Sequence, residues 1–348
     1  MEPAAWTEDF HSAVEEYHRR GWTDGLPIVP PTEERIAKFL AAAGMAENET
    51  LFHLAERRRK VPAGKIALNA IMAGCLPNYM PVLLAGLEAM ADPDYNLHSS
   101  AASTGGAAPL MVVNGPVRDE INLNMAGNIF GPGHRANSAI GRAIRLVLIN
   151  CIGAVPQLLD RSTQGNPGKF GLTFAENEEA SPWESLSAEK GFKPGRSTVT
   201  LLAAEGPHNI QNHYGRANGI LDTAAHTMSS LGSMSAGQSF FVFSPEHATL
   251  IGKEFPNKRA VKEYLFEHSG VPEILLRETG KITTAAWGNR PSRVPRALDP
   301  EDIWIAVAGG EAGGHSSWIP SWSRRRNGVT VMRPVLSSEE RRAKKKSS

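Results

Sequence analysis

Apolar residues recur at helical spacing over most of the first ninety residues. Residues 6–20 have one apolar and one polar face, a connection rich in proline and glycine follows, and Thr32 is typical of the residue that begins the next helix. Two further apolar segments, each long enough for a helix, cover 64–74 and 80–91. We therefore predict a helical N-terminal region over residues 1–92 that packs on the rest of the chain.

After this region the pattern changes to short runs that are apolar throughout and end abruptly at a polar or glycine- and proline-rich corner. Strands have this pattern when both of their faces are covered. Strands that alternate with helices predict an α/β fold over residues 93–335, with a mainly parallel or mixed sheet and helices on both faces. The four runs are LMVVNGP (110–116), TVTLLAAEGPHN (198–209), FFVFSPEH (240–247) and IWIAVAGGEAGGH (303–315).

Two parts of this region repeat the same order of features. The stretches VVNGP…GHRANSAIGRAIR and AAEGP…YGRANGILDTAAH both give a strand, an x-Gly-Pro corner, a polar loop, Arg-Ala-Asn and a helix. Asn137 and Asn218 would each be the N-cap of that helix, where the side chain accepts a backbone N–H. The two loops differ in length, so the sequence leaves open whether this is an internal βα duplication or chance.

The composition is that of a globular protein without a broad basic surface. Hydrophobic residues make up 41% of the 348 residues and charged residues 21%, so the chain can bury a large core. The net charge of +1 argues against a protein that binds nucleic acid through a basic face. The C-terminal RRAKKKSS is strongly basic but lacks apolar residues, so we expect a disordered basic tail over residues 336–348.

The sequence carries no pattern typical of secretion or of a membrane span. Its N-terminus lacks a basic start followed by an apolar run, and no apolar stretch reaches the roughly 18 residues that a span requires. Cys75 and Cys151 form no C-x-x-C motif, which excludes a disulfide scaffold and a cysteine-rich zinc site. We therefore expect a cytoplasmic protein. Apolar helical segments such as 143–153 fit a homo-oligomer and the core of a large monomer equally well.

Histidines and acids gather at the predicted strand ends, where open α/β sheets bind their ligands. In three of the four runs a histidine follows soon after the strand, although the whole chain has only 11 histidines. Imidazole titrates near neutral pH, and clustered carboxylates raise one another's pKa, so both are candidates for acid–base chemistry. The candidate catalytic residues are His208, Glu205, His247, His315 and Glu176.

Each of these residues also has a purely structural interpretation. His247 follows Ser244 and Pro245, a typical helix start, so it could be an ordinary residue of a first helical turn. Glu205 could accept backbone N–H groups in its Gly-Pro turn, and Glu176 could belong to a solvated acidic loop.

The cofactor is left unknown by the sequence. His208 and His213 could be two metal ligands on one loop, and a divalent metal is left open, although most catalytic metal sites need three protein ligands. The glycine-rich loop 309–317 matches neither G-x-G-x-x-G nor a Walker A motif, so no nicotinamide, flavin or ATP site is predicted.

A further set of polar residues is suited to bind an anionic small molecule. Arginines that precede helix starts can hold a carboxylate or phosphate, and glycine-rich loops let the backbone approach a ligand closely. The same arginines could instead be surface charges, and the glycines a flexible turn. The candidate substrate-binding residues are Asn114, His134, Arg135, Arg216, His98, Gly310, Gly313 and Gly314.

Seven motifs together resemble the large proteins found beside, or fused to, small UGSC-motif (Cys/Sec-Gly-Ser-Cys) proteins. The chain has no Cys-Gly-Ser-Cys of its own, so the resemblance implies a separate thiol or selenol partner and a substrate-binding role for this chain. It also makes Cys75 a candidate residue, although its position at a helix end favours a buried, inert thiol. The motifs are GWTDGLPIVPPTEER, ALNAIMAGCLPNYMPV, VVNGP, GPGHRANSAIGRAIRL, FAENEEASPWESL, AEGPHN and AVAGGEAGGHSS.

Three functions are compatible with these patterns. The first is an enzyme, or large enzyme subunit, that binds a small polar or anionic substrate at the strand ends for lyase- or hydrolase-type chemistry by acid–base or metal assistance. The second is the substrate-binding subunit of a redox enzyme that works with the UGSC-type partner. The third is a non-catalytic binding protein, for which the histidines would point to different places.

Overall fold

The computed structural model describes residues 8–233, 237–281, 293–323 and 328–346. Short strands account for the four apolar runs and for several segments beside them. The strands are β1 (Thr50–Leu54), β2 (Arg59–Pro62), β3 (Ala108–Asn114), β4 (Leu172–Ala175), β5 (Thr198–Ala204), β6 (His208–Gln211), β7 (Ser239–Phe243), β8 (Val271–Pro272), β9 (Arg293–Val294), β10 (Ile303–Val307), β11 (His315–Pro320) and β12 (Val331–Pro334).

Helices precede and connect these strands. They are α1 (Glu8–Arg19), α2 (Glu33–Ala43), α3 (Ala63–Met72), α4 (Met80–Met90), α5 (Leu97–Ala102), α6 (Val117–Glu120), α7 (Arg135–Val147), α8 (Leu186–Glu189), α9 (Ala217–Met228), α10 (Pro245–Gly252), α11 (Lys258–His268), α12 (Glu273–Glu278) and α13 (Ser338–Lys346). Thr32 caps α2 through its side-chain oxygen, as its position in the sequence predicts.

The core is built on two four-stranded mixed sheets, which confirms the predicted α/β class. The first sheet has the order β12-β5-β3-β4, and the second has the order β10-β7-β11-β6. In the first sheet β3 is parallel to β4 and antiparallel to β5. In the second sheet β7 is parallel to β10 and antiparallel to β11.

The two sheets lie face to face and helices cover only their outer faces, so each sheet has helices on one face and not on both faces as predicted. Alternate residues of β3, such as Leu110 and Val112, share one apolar cluster with Phe240 and Val242 of β7. The outward residues of the first sheet pack on α3, α4 and α7, and those of the second sheet pack on α9, α10 and α11. The strands of the four apolar runs, β3, β5, β7 and β10, are therefore covered by helices on one side and by the other sheet on the other side, which explains why these runs are continuously apolar.

The two sheets also repeat one topology. In each sheet the chain passes from a central strand through helix to a neighbour that is parallel to it, and then to a neighbour that is antiparallel to it. The order is β3–α7–β4–β5 in the first sheet and β7–α10–α11–β10–β11 in the second. The duplication suggested by the two Arg-Ala-Asn motifs would make β3 and β5 equivalent strands of two repeats. They are instead antiparallel neighbours within one sheet. The expected N-caps are wrong as well: His134 and Arg216 occupy those positions, and the Asn137 amide bonds the backbone of Asn124.

The N-terminal region packs on the first sheet through α4, and the C-terminal helix α13 packs on α2 and α4 of that region. The N-terminal region is largely helical and adds the β1–β2 hairpin, which the sequence pattern does not predict. The expected disordered tail is instead a helix in its described part, because Arg341 of α13 pairs with Glu88 at 2.6 Å and Lys345 pairs with Glu49. No helix in the described ranges has the length and apolar character needed to cross a bilayer.

Helix α7 lies unusually close to the start of β4. A Cβ atom added at Gly141 would be 2.7 Å from the Cα of Gly171 and 3.1 Å from the backbone nitrogen of Leu172. Only two residues without side chains can meet at this distance, so the contact fixes the height of the helix above the sheet. Arg145 lies one turn further on the same side of α7.

We expect Gly141→Ala to lower the free energy of unfolding by about 1–3 kcal/mol, because the new methyl group has no space. Gly219→Ala is a matched control, since Gly219 is also helical and its Cβ would meet nothing within 4 Å. That variant should be neutral or more stable by up to about 1 kcal/mol, because alanine favours helix over glycine. Urea unfolding of both variants measures the difference, and equal stabilities would contradict the close contact.

Candidate functional site

Asn114 and Glu176 do meet at the strand ends, as their positions predict. Asn114 is the last residue of β3, Glu176 directly follows the parallel strand β4, and the Asn114 amide donates to the Glu176 carboxylate at 2.5 Å. The same carboxylate accepts the backbone N–H of Leu186 at 2.8 Å and lies 3.4 Å from the ammonium of Lys258. Glu176 is fully buried. Its oxygens are occupied by protein groups, which gives this carboxylate a structural role.

Lys258 continues into a buried chain of alternating charges. Lys258 and Lys262, both on α11, are each only 2% exposed. Glu189 lies between their ammonium groups, and the chain ends with Glu301 and Lys190 near the surface. Burial alone would raise the pKa of Glu189, but the two lysines outweigh it and hold that pKa below its ordinary value. Three lysines and three glutamates balance one another, so the chain stabilises the fold and offers no net charge to a ligand.

His247 has no ring nitrogen free for proton transfer. It is fully buried, its Nε2 lies 2.9 Å from the carbonyl oxygen of Asn212, and its Nδ1 lies 2.7 Å from the hydroxyl of Ser316. A carbonyl can only accept, so Nε2 carries the proton and the Ser316 hydroxyl donates to Nδ1. Burial lowers the pKa of His247 below its usual range. Its structural interpretation therefore fits better than the predicted catalytic one.

Within the polar segment 204–218, Asn212 is used to shape the backbone. The Asn212 side chain accepts from the backbone of Gly215 and donates to Gly219 and Thr223. The neighbouring glycine-rich loop is fixed in a similar way, because the Glu246 carboxylate accepts the backbone N–H groups of Gly313 and Gly314 at 2.8 Å each. These amides are thus unavailable for the predicted anion nest.

Two of the other strand-end histidines, His213 and His315, lie at the surface beside His247. The rings of His213 and His315 are exposed and meet edge to face with centroids 5.2 Å apart. His208 is half-buried against Trp318, and burial lowers its pKa. Within the part of the chain that the structure describes, no three His, Cys, Asp or Glu side chains are grouped as a metal site, so the proposed pair His208 and His213 lacks a third ligand.

The remaining predicted residues are dispersed. Glu205 follows β5, which runs antiparallel to β3, so it lies at the opposite edge of the first sheet from Asn114. The exposed residues among them are His98 on α5, His134 and Arg216 at helix starts, and Arg135 on α7. Gly310 approaches the backbone of Gly127. The structure therefore brings His213, His247 and His315 together with Gly313 and Gly314, but it does not bring Glu205 to this group.

A cavity of about 800 Å³ lies at the other edge of the first sheet, where β4 begins. It is bounded by the last turn of α7 and by the loop that precedes β4. We name it the Arg145 cavity, and the residues that define it are Arg145, Ile149, Asp160, Ser162, Lys169 and Phe170. Its volume is in the range of small-molecule sites, roughly 300–1,000 Å³.

Four polar side chains of this cavity form one hydrogen-bonded group. The Lys169 ammonium lies 2.5 Å from the Asp160 carboxylate and 2.5 Å from the Ser162 hydroxyl oxygen. The Ser162 hydroxyl also lies 2.5 Å from the other carboxylate oxygen of Asp160. Arg145 donates from Nε to the carbonyl of Lys169 at 2.9 Å, and its guanidinium lies 3.8 Å from Asp160.

The loop that carries Asp160 and Ser162 is held by backbone contacts. Gln157 adopts a left-handed conformation with φ of 68°, and the N–H of Asp160 bonds the carbonyl of Val155. Further along, the Asn166 amide donates to the carbonyl of Gly106 at 2.8 Å. These contacts fix the carboxylate and the hydroxyl before any ligand binds.

Burial makes the charge imbalance of this group important. The side chains of Arg145, Asp160 and Lys169 are only 9%, 8% and 17% exposed. Burial, reinforced by Arg145, lowers the pKa of Lys169, while its bond to Asp160 opposes the shift. Burial would raise the pKa of Asp160, but hydrogen bonds from Lys169 and Ser162 outweigh it and lower that pKa. Asp24 also lines the cavity, and it pairs with Arg142 at 2.8 Å. Three cations therefore face two carboxylates, and the one positive charge in excess makes the cavity suited to an anion.

The sequence carried one usable signal for this cavity. Arg145 interrupts the apolar helical segment AIRLVLINCIG, and a charge inside an apolar face needs a partner. The partners lie in the segment DRSTQGNPGKFG. Its glycine and proline residues leave no helical or strand periodicity, so the sequence gives no pattern from which the contact with Arg145 could be predicted.

We expect Lys258→Met to lower the free energy of unfolding by about 3–5 kcal/mol, because it leaves Glu176 buried without its cation. The double variant with Glu176→Gln should recover part of this loss, since it removes the unpaired charge. Arg259→Met, on the same helix but exposed, is the control and should leave stability nearly unchanged. Urea unfolding measures all three, and a Lys258→Met protein as stable as the control would contradict a buried pair.

His247 should make stability dependent on pH. Its folded pKa lies below the unfolded value of about 6.5, so the unfolded chain takes up a proton first and stability falls as the pH drops below about 6.5. His247→Gln should be less stable at pH 7 but should lose less stability between pH 7 and pH 5.5. Chemical unfolding at both pH values measures this, with the exposed His11→Gln as control. Equal losses in all three proteins would contradict the buried neutral ring.

Comparison with known protein families, with curated proteins and with solved structures finds no match for this chain. The likeness to the proteins that accompany UGSC-motif proteins thus stays an expectation from sequence motifs. What the chain does has to be inferred from the chemistry of its own residues, and the Arg145 cavity is the place where that chemistry is concentrated.

Proposed function

We propose that this chain is an enzyme, or the large subunit of one, that binds a small organic anion in the Arg145 cavity. Its chemistry would be of the hydrolase type and would use acid–base groups of the protein. This keeps the substrate class expected from the sequence and moves the site from the carboxyl ends of the strands to the opposite edge of the first sheet.

The charge of the buried group is the observation that carries this proposal. Arg142, Arg145 and Lys169 bring three positive charges, and Asp24 and Asp160 bring two negative charges, on side chains that are at most 17% exposed. An unbalanced charge is costly in such a setting. A ligand carboxylate would balance it, and the fork of a guanidinium is well suited to hold both carboxylate oxygens.

Ser162 is the group best placed to act on the bound anion. Its hydroxyl donates to Asp160, which can accept the proton, while the Lys169 ammonium can stabilise negative charge on the oxygen. Attack on an ester or amide carbonyl would form a seryl ester and pass the proton from Asp160 to the leaving group. Water would then release the acid and restore the hydroxyl.

Two alternatives from the sequence remain as further proposals. A redox role, with electrons carried by a Cys-Gly-Ser-Cys partner, rests on the motif resemblance, and the same cavity would then hold the substrate. A non-catalytic binding role would use the cations without the hydroxyl. A cytoplasmic location fits both proposals, because the two cysteines are free and buried.

We expect benzoate to bind the protein at least about tenfold more tightly than its neutral analogue benzamide, since a hydrogen bond to a charged group contributes about 1.5–3 kcal/mol. Arg145→Met should remove this preference, and Arg145→Lys, which keeps the charge, should retain part of it. Calorimetry measures the affinities, with Arg259→Met as the control. Equal binding of benzoate and benzamide by the unmodified protein would exclude an anion site.

The nucleophile has a separate test. A fluorophosphonate probe should label Ser162, as mapped by peptide mass spectrometry, and benzoate should slow this labelling. Ser162→Ala should lose the label and keep the benzoate affinity. Benzoate binding without any label on Ser162 would favour the non-catalytic binding protein over the hydrolase.

A further inference from the structure

A second cavity, of about 450 Å³, lies where α2, the end of α3 and the start of α7 meet. Its floor is apolar and contains Phe39 and Ile71, which are buried, together with the thiol of Cys75. We name it the Cys75 cavity. It shares no lining residue with the Arg145 cavity, which is at the other end of α7.

The rim of this cavity is cationic. Arg35 and Lys38 line it from α2, and Arg135 lines it from α7. Lys38 is paired with Glu34 at 2.6 Å. Arg135 donates from Nε to the carbonyl of Gly74, and in the ranges described neither Arg35 nor Arg135 has a carboxylate partner. The rim therefore has two positive charges in excess above an apolar floor.

The thiol adds no charge to the floor. Burial raises the pKa of Cys75 to about 12, which Arg135 and Arg142 offset only in part, and the thiol donates to the carbonyl of Ala139 at 3.3 Å. Cys75 is thus neutral at physiological pH, as its position at a helix end predicts. A hydrated inorganic anion would leave this apolar floor uncovered, and an uncharged apolar molecule would leave the two arginines unused.

We infer that the Cys75 cavity binds an amphiphilic carboxylate, with the apolar body on Phe39, Ile71 and Cys75 and the carboxylate between Arg35 and Arg135. The apolar body gains free energy by leaving water, and the guanidinium groups hold the charged end at the rim. This inference does not depend on the function proposed for the Arg145 cavity.

The two cysteines provide an internal comparison for the test. Cys75 lines this cavity, whereas Cys151 lines a different and smaller one. Octanoate should slow the modification of Cys75 by methyl methanethiosulfonate at least about fivefold, because a ligand on the floor excludes the reagent. The rate at Cys151 should not change. Peptide mass spectrometry of the intact, folded chain gives both rates in one experiment.

Matched probes and variants make the outcome decisive. Octanol, which lacks the charge, and inorganic phosphate, which lacks the chain, should each protect Cys75 less than about twofold if both contacts are required. The double variant Arg35→Gln/Arg135→Gln should lose the octanoate protection, measured relative to its own Cys75 rate without ligand, because Arg135 also acts on the pKa of that thiol. The exposed pair Arg259→Gln/Arg342→Gln is the control and should keep the protection.

Arg145→Met separates this inference from the proposed function, because it should abolish the benzoate preference and leave octanoate protection of Cys75 unchanged. Equal protection by octanol, protection by phosphate alone, or no protection by octanoate would each overturn the assignment. Loss of octanoate protection in Arg145→Met would also overturn it, because the two cavities would then not be separate sites.

Discussion

The close contact of Gly141 with Gly171 sets the geometry on which the main cavity depends. Without side chains at either residue, α7 lies low enough on the first sheet for a Cβ at Gly141 to come within 2.7 Å of the Gly171 backbone. Arg145, one turn further, then reaches the carbonyl of Lys169 from Nε at 2.9 Å. A helix held further from the sheet would lose this bond, so the packing of the core and the composition of the site are linked.

Two groups of buried charges in this chain differ in their balance. At the carboxyl ends of β3 and β4, lysines and glutamates alternate in equal number, and each charge has its partner within the protein. In the Arg145 cavity, Arg145 and Lys169 share Asp160, while the second carboxylate, Asp24, pairs with Arg142, so one positive charge is in excess. Because a buried charge without a partner is costly, the first group is complete and the second is suited to a ligand of opposite sign. This difference distinguishes a structural network from a binding site.

The sequence predicted the elements of the fold better than the way they assemble. The apolar runs located β3, β5, β7 and β10, because a strand covered on both faces has the same composition whatever covers it. For the same reason the runs could not show that the strands divide between two sheets. The histidine pattern located polar groups but not their contacts: His247 bonds the backbone carbonyl of Asn212, and Glu246 holds a glycine loop, so these groups near strand ends serve the backbone.

An electron-density map of the protein crystallised with benzoate tests the central claim most directly, because it shows where a carboxylate binds without assuming any reaction. The account predicts density for the benzoate carboxylate within hydrogen-bonding distance of the Arg145 guanidinium and the Lys169 ammonium. A map in which benzoate is bound elsewhere, with the group of Arg145, Asp160, Ser162 and Lys169 unchanged and no anion against it, would contradict the account.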